Sequence, residues 1–260
     1  MMTTEIITGL TQALVAAALA MGVTLLARTR LIHMEREVFF AMLRGIVQVV
    51  VVGLVLVLLL QGPGFTSIFL LLGMMLAAAS IAAKRARGIG GAFQVSLYGI
   101  ALGSGVVIAS MTLLGVIETE MTSLIPIGSM LIANAMNSSA LALDRFKGEV
   151  QAHTGEIEAG LALGADPKLV VTPYVRAAVH ASMIPRVDSL RSLGIVWIPG
   201  VMAGMILAGA DPVYAAIYQF VVLAMIFSAS ALTSLVSTLL IRSRAFSPAE
   251  QLLLNKNRVI

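Results

Sequence analysis

Ile46-Val47-Gln48-Val49-Val50-Val51-Val52-Gly53-Leu54-Val55-Leu56-Val57-Leu58-Leu59-Leu60 contains a single polar side chain. Extended back to Val38, the run passes the ~20 apolar residues a helix needs to cross a bilayer. Hydrocarbon offers no partner to backbone N–H and C=O groups, so such a segment pairs them within itself, as a helix. Six further apolar runs flank it: Ile6 to Ala27, Ser67 to Ala83, Phe93 to Ile117, Leu124 to Leu143, Leu193 to Ala208 and Val213 to Ile241. The sixth of the seven, Leu193 to Ala208, is short and broken by Pro199, Gly200 and Gly204.

The whole chain matches this reading. Of 260 residues, 59% are hydrophobic and 12% charged, against about 25% charged in soluble domains. The alternation of membrane barrel strands, in segments of about 10 residues, is missing. The expected fold class is therefore an all-α integral membrane protein of about seven transmembrane helices, forming a single transmembrane domain over 1–260. The absence of cysteine excludes a disulfide framework and thiolate metal sites. The start, Met1-Met2-Thr3-Thr4-Glu5, lacks the basic region of a cleaved signal peptide.

Charge sets the expected orientation. Arg28, Arg30 and Arg36 follow the first run, and Lys84, Arg85 and Arg87 follow the third. Arg145, Lys147, Lys168, Arg176, Arg186 and Arg191 lie between the fifth and sixth, and Arg242, Arg244, Lys256 and Arg258 follow the seventh. The last of the 17 basic residues, Arg44, sits near the same edge. Gln61 to Thr66, Glu118 to Ser123 and Gly209 to Pro212 carry none. The positive-inside rule then places the N-terminus outside and the C-terminus in the cytoplasm. The basic balance reports orientation, and no nucleic-acid partner is implied.

The sizeable non-membrane piece is the cytoplasmic stretch 144–192. Gly155 to Leu163 predicts a two-turn helix with Glu156 and Glu158 near its start, where the dipole favours acids. Gly164 is a C-terminal stop, and Asp166-Pro167 an N-cap with proline at the first helical position. A second helix should run towards Ile184, restarted or kinked at Pro173 and ended by Pro185. Such a hairpin either docks into a groove on a soluble partner or merely connects two spans.

Glu158-Ala159-Gly160 with Gly164 resembles the EAA-type coupling loop of ABC-transporter permeases, with Gly160 in place of the second alanine. Ile184-Pro185 lies further on than that family's hydrophobic-Pro element. A second resemblance covers nearly the whole chain. Ile198-Pro199-Gly200-Val201-Met202-Ala203-Gly204-Met205-Ile206, Ala208-Gly209-Ala210-Asp211-Pro212 and Tyr218-Gln219 carry it. So do Ile125-Pro126-Ile127-Gly128 with Met130, Asn134-Ala135-Met136, Arg44 with Gln48, and Arg176-Ala177-Ala178 with Ile184-Pro185 and Asp188-Ser189. Together they resemble the FetB-type iron-export permeases of bacteria, which have plant relatives linked to aluminium tolerance. The resemblance implies a half-transporter of the bacterial inner membrane, paired with a separate cytoplasmic ABC ATPase and with a second copy of itself, and exporting iron. The EAA-type resemblance assigns Glu158, Ala159, Gly160 and Gly164 to ATPase coupling, and Glu156 and Asp166 of the same hairpin are expected to act with them.

Several residues are candidates for a transport pathway. Arg44 and Gln48 lie four apart on one helical face. Each either lines a path or, respectively, snorkels to the surface and bonds a neighbouring helix. Met130, Asn134, Met136 and Asn137 could give a metal ion thioether and amide contacts, or serve as helix-packing groups. Met202 and Met205 extend the theme. Gly99-x-x-x-Gly103 and Gly200-x-x-x-Gly204 are small-residue packing motifs. His33, His153 and His180 have no ligand spacing, and Asp211 is expected to cap the seventh helix.

Enzyme chemistry is not expected. A G-K-[ST] phosphate loop is absent, and no cofactor is implied. Two other readings remain open: an ABC permease for an organic solute such as a nucleotide-sugar, and a stand-alone secondary transporter. Against the last stands the lack of carboxylates within the spans.

Overall fold

The computed structural model describes residues 2–28, 33, 35–59, 64–86, 88–247 and 249–254. Arg30, Arg87, Lys256 and Arg258, counted above for orientation, lie outside these residues. The helices are α1 (Met2–Arg28), α2 (Glu35–Leu59), α3 (Thr66–Ala83), α4 (Ala92–Leu113), α5 (Met121–Ala152), α6 (Thr154–Ala162), α7 (Pro167–Val170), α8 (Thr172–Ser192), α9 (Gly200–Leu207) and α10 (Pro212–Arg244). No strand is present among the described residues, only the isolated bridges Leu193↔Trp197 and Phe246↔Leu252. Among the described residues six helices are long and apolar enough to cross a membrane: those starting at Met2, Glu35, Thr66, Ala92, Met121 and Pro212. The protein is thus a membrane-helical protein.

The chain divides into two compact units, 1–63 and 64–260. In the first, α1 packs on α2, with Arg28 3.6 Å from Glu35. Apolar side chains such as Leu14 and Val49 are bare around both helices, the pattern of a helix whose solvent is lipid.

In the second unit, α3, α4, α5 and α10 bury Leu71, Ile100, Leu131, Ala135, Val222 and Ala229 in one cluster. Packing is closest between α4 and α10. A Cβ at Gly103 would stand 2.8 Å from the Ala229 carbonyl and inside contact with Thr233, and one at Gly99 would strike Ser237. These glycines let the backbones approach as small residues do in membrane helix pairs. The second expected motif differs: no described atom lies within 4 Å of where a Cβ would stand on Gly200 or Gly204. Hydroxyls lace the interior, with Ser139 Oγ 3.0 Å from Ser237 Oγ, and Ser182 donating to Ser234 Oγ at 2.9 Å.

The stretch 144–192 departs from expectation in two ways. First, α5 continues to Ala152. Second, Pro185 does not end the helix; α8 runs through it to Ser192. Proline costs an interior hydrogen bond, and in membrane helices neighbouring Ser and Thr side chains take up freed backbone groups. The bond lost here is the one the Ala181 carbonyl would accept; Ser189 Oγ, one turn beyond, adds a bond to the Pro185 carbonyl at 2.8 Å.

The sixth apolar run is an eight-residue helix, α9, about 12 Å long at 1.5 Å per residue. It is too short to cross alone. Its partners show how it is supplemented. Along α10, Gln219 bonds Met202 of α9, and fifteen residues further on Ser234 bonds Ser182 of α8. Helices α8 and α9 therefore run in series, antiparallel to α10, with a break over 193–199.

Candidate functional site

The break between α8 and α9 opens a cavity of about 450 Å³, lined by Met130 and Asn134 of α5, Arg186 and Ser189 of α8, Trp197 of the break, and Gln219 of α10, among others. The remaining walls include Pro199, Gly200 and Val201 at the start of α9, and Leu223, Ile226 and Phe227. Asn134 stands thirteen residues from the start of α5 and eighteen from its end, about 20 Å and 27 Å respectively. The cavity is thus at mid-helix depth.

Three polar side chains are fixed by their partners. Asn134 Nδ2 donates to the Met130 carbonyl at 2.8 Å, and Asn134 Oδ1 accepts from Arg186 Nη1. Gln219, which is buried, accepts with Oε1 from the Met202 amide at 3.2 Å. Arg186 Nε is buried without a hydrogen-bond partner among the described residues. Trp197 Nε1 donates to Ser192 Oγ at 3.1 Å, which holds the indole against the end of α8.

A second cavity of about 470 Å³ continues towards the N-terminal ends of α5 and α10. Met130 and Val201 line both cavities. The second adds Glu118, Pro126, Met205, Tyr214 and Tyr218. Placed end to end on the shared wall of Met130 and Val201, their linings reach from Arg186 at mid-helix depth to Glu118 at one end of the bundle.

The predicted pathway residues therefore separate. Met130, Asn134 and Met205 line the cavities, and Met202 joins them through its backbone. Met136 packs against the main core, and Asn137 is exposed without lining either cavity. Arg44 and Gln48 are exposed on α2 of the first unit. Sequence reasoning missed Arg186, Gln219 and Trp197 as lining groups. Arg186 had been placed with the cytoplasmic loop charges; α8 carries it to Asn134 instead. Among the described residues no group of three His, Asp or Glu side chains is placed to hold a metal ion.

The other predicted site lies at the opposite end of α5. Helix α6 buries Ile157 and leaves Glu156, Glu158 and Ala159 exposed. Gly160 faces Val170, where a Cβ would meet a methyl at 3.3 Å. Gly164, at φ +82°, makes the reversal that glycine tolerates best. Asp166 caps α7, accepting from the Lys168 and Leu169 amides at 2.6 and 3.3 Å. Leu163 and Leu169 at the turn are 89% and 68% exposed. Ile184-Pro185 stands on α8 next to Arg186 and takes no part in this turn.

Beneath the turn, Ile157, Val171 and Val175 join Leu143, Phe146 and Val150 of α5, Ile241 of α10, and Leu252 and Leu254 of the tail in a second buried cluster. The His153 ring stacks on Tyr174 at 4.9 Å, and Tyr174 donates to Glu156 at 3.2 Å. Partial burial, aided by the Glu156 carboxylate, holds the Tyr174 phenol above its ordinary pKa. Asp211 caps α10 as expected, accepting from the Val213 and Tyr214 amides, each at 2.9 Å.

Comparison with known proteins completes the description. The family model described as "Uncharacterised protein family (UPF0014)" matches residues 10–246. The chain is similar to "Probable iron export permease protein FetB" of Escherichia coli, at 31% identity over 93% of each chain. It is also similar to "UPF0014 membrane protein STAR2" of rice (Oryza sativa subsp. japonica), at 30% identity over 95% of this chain and 87% of the relative. A third relative is "Protein ALUMINUM SENSITIVE 3" of Arabidopsis thaliana, at 29% identity over 94% of this chain and 90% of the relative. No solved structure matches. The FetB-type resemblance and its plant branch are borne out.

Proposed function

Because the chain belongs to the UPF0014 family, we propose that it is the membrane-spanning subunit of an ABC transporter, exporting iron with ATP hydrolysed by a separate cytoplasmic subunit. The observation that carries the ABC assignment is the α6–α7 hairpin. It presents Glu156, Glu158, Leu163 and Leu169 to its surroundings at the basic end of the second unit. Bare leucines beside acids outside the spans suit a protein groove, since an exposed apolar group gains most when a partner covers it.

In this reading two copies pair with two ATPase subunits in the bacterial inner membrane, N-terminus outside and C-terminus cytoplasmic, and the chain itself has no catalytic role. ATP binding draws the ATPases together, and the hairpin follows. The second buried cluster joins the hairpin to the ends of α5, α8 and α10, the same helices that wall the cavity at their other reaches. Motion at the hairpin thus shifts the cavity between inward- and outward-facing states. The cargo couples to that cycle through its different affinity for the two states.

Iron rests on the name of the E. coli relative. The test is ATP-dependent accumulation of ferrous iron in inside-out vesicles holding this chain, with and without its ATPase. Uptake should require both proteins. Vesicles in which the assembled complex hydrolyses ATP but accumulates no iron would remove iron as cargo. One observation favours the organic-solute reading in that event: the cationic side chain in the cavity wall is Arg186, and the carboxylate Glu118 stands in the second cavity beyond it.

A further inference from the structure

Arg186 is a permanent charge at mid-helix depth, and no ion pair holds it among the described residues. The pairs there are Arg28–Glu35, Arg145–Glu149, His153–Glu149 and Arg191–Asp188. A guanidinium carries five N–H donors. One meets Asn134, and the buried Nε meets nothing. Charged groups at membrane depth are costly and mark sites where a partner arrives.

The amides of the cavity wall have the same sign of demand. Asn134 Oδ1 is taken by Arg186, and Gln219 Oε1 by the Met202 amide. That bond fixes the Gln219 amide orientation and leaves its NH2 as the remaining donor. Ser189 Oγ gives its proton to the Pro185 carbonyl and lines the cavity as an acceptor. The wall also holds Gly200 and Val201, the first residues of α9, whose N-cap Pro199 supplies no side-chain acceptor. First-turn amides and the helix dipole favour negative charge there. Arg186, the Gln219 NH2 and the α9 amides therefore outweigh that hydroxyl around a space whose other faces, Trp197 and Phe227 among them, are apolar. A cavity of about 450 Å³ is within the range of small-molecule sites, roughly 300–1,000 Å³.

We infer that this cavity binds the oxyanion group, carboxylate or phosphate, of a small organic anion, with Arg186 as its principal ligand and Gln219 and the start of α9 as auxiliary donors. Calling the occupant cargo rests on the transport reading above; the binding itself does not. The donors repel a bare cation, so an iron cargo enters this cavity as the complex of an anionic chelator.

The chain supplies its own probe, because Trp197 is its single tryptophan and lines the cavity. Tryptophan emission of the purified full-length chain in a neutral detergent is titrated with citrate, with inorganic phosphate, with ferric citrate, with ferrous ion alone and with glucose. Citrate or phosphate should change the emission saturably, and glucose and the bare ion should not. Loss of a charge-assisted bond weakens binding at least about tenfold, which is the expected effect of Arg186→Gln. Arg186→Lys, which keeps the charge and loses the fork, should fall between. A titration that does not saturate, or one that Arg186→Gln leaves unchanged, overturns the proposal, as does ferrous ion saturating in place of the anions. Should Arg186→Gln fail to fold, the Arg186→Lys titration decides alone: unweakened binding overturns the proposal. Nanodiscs of phosphatidylglycerol and of phosphatidylcholine separate the sources. Emission already shifted by phosphatidylglycerol, with citrate then competing, identifies a lipid headgroup as occupant; no shift identifies a soluble anion. ATPase is absent from every arm, so failure here is distinct from failure of the coupling reading.

Discussion

At Gly103 hydrogen is the largest side chain that fits. Its Cβ position lies 2.8 Å from the Ala229 carbonyl, a backbone atom that cannot turn aside. Gly103→Val should destabilise the second unit by about 1–3 kcal/mol through overpacking, read as a lower unfolding midpoint in detergent. Gly148 sits in α5 with no described atom within 4 Å of its Cβ position. Gly148→Ala should be neutral or stabilising by up to about 1 kcal/mol, as in any helix interior. Equal losses at both sites would mean that α4 and α10 do not pack as described. Asn134 gives a second residue-scale prediction. Asn134→Ala leaves the Arg186 Nη1 proton unpaired at depth, costing about 1–3 kcal/mol. The double variant Asn134→Ala with Arg186→Gln should recover part of that loss, because the pair acts together. Strict additivity of the two would show that they do not interact. Asn134 was legible in the sequence as a polar group on an apolar helix. Arg186 was not, because one more basic residue in a basic loop carries no signal by itself. The clue lay elsewhere: the run 193–208 is too short to cross alone, so the residues before it were worth placing in the bundle with their charge.

Elements were legible where their signals are local. Gly164 and Asp166-Pro167 end one helix and start the next through groups within three or four residues, and the turn forms there as read. Pro185 misled because its stop signal assumes water on the far side. Proline removes only the bond to the Ala181 carbonyl, and packing against α5 and α10 carries α8 past it to Ser192. The hairpin built from those local signals yields the prediction at this scale. Glu158→Arg, and separately Leu163→Asp, should lower the ATPase retained on the purified chain by about tenfold, the effect of removing one central contact worth ~1.4 kcal/mol. Helix content should stay unchanged by circular dichroism, since both side chains are exposed. Full retention of ATPase by both variants would remove the hairpin as the coupling element.

On the scale of the whole molecule, the second unit carries its charge at two ends. Glu118, Glu120 and Asp211 gather where α5 and α10 begin; Lys84, Arg85, Arg145, Lys147, Arg242 and Arg244 gather where α3, α5 and α10 end. Lys and Arg are retained in the cytoplasm, and carrying one into the centre of a spanning helix costs about 2.5–3.5 kcal/mol, so the expected orientation is the prediction this arrangement puts to test. What composition could not show is how many times the chain crosses, because neither α8 nor α9 alone has the length and uniform apolarity of a span. A chain without cysteine allows a direct test. Thr119→Cys, Ala162→Cys and Ala208→Cys each introduce one thiol at an exposed position. In intact cells an impermeant maleimide should label Thr119→Cys and Ala208→Cys, and should reach Ala162→Cys only after permeabilisation. Position 208 separates two architectures that agree elsewhere. If α8 and α9 together traverse the membrane, Ala208 shares a side with Thr119. If they do not, it shares a side with Ala162, and the cavity between them cannot lie on a route across.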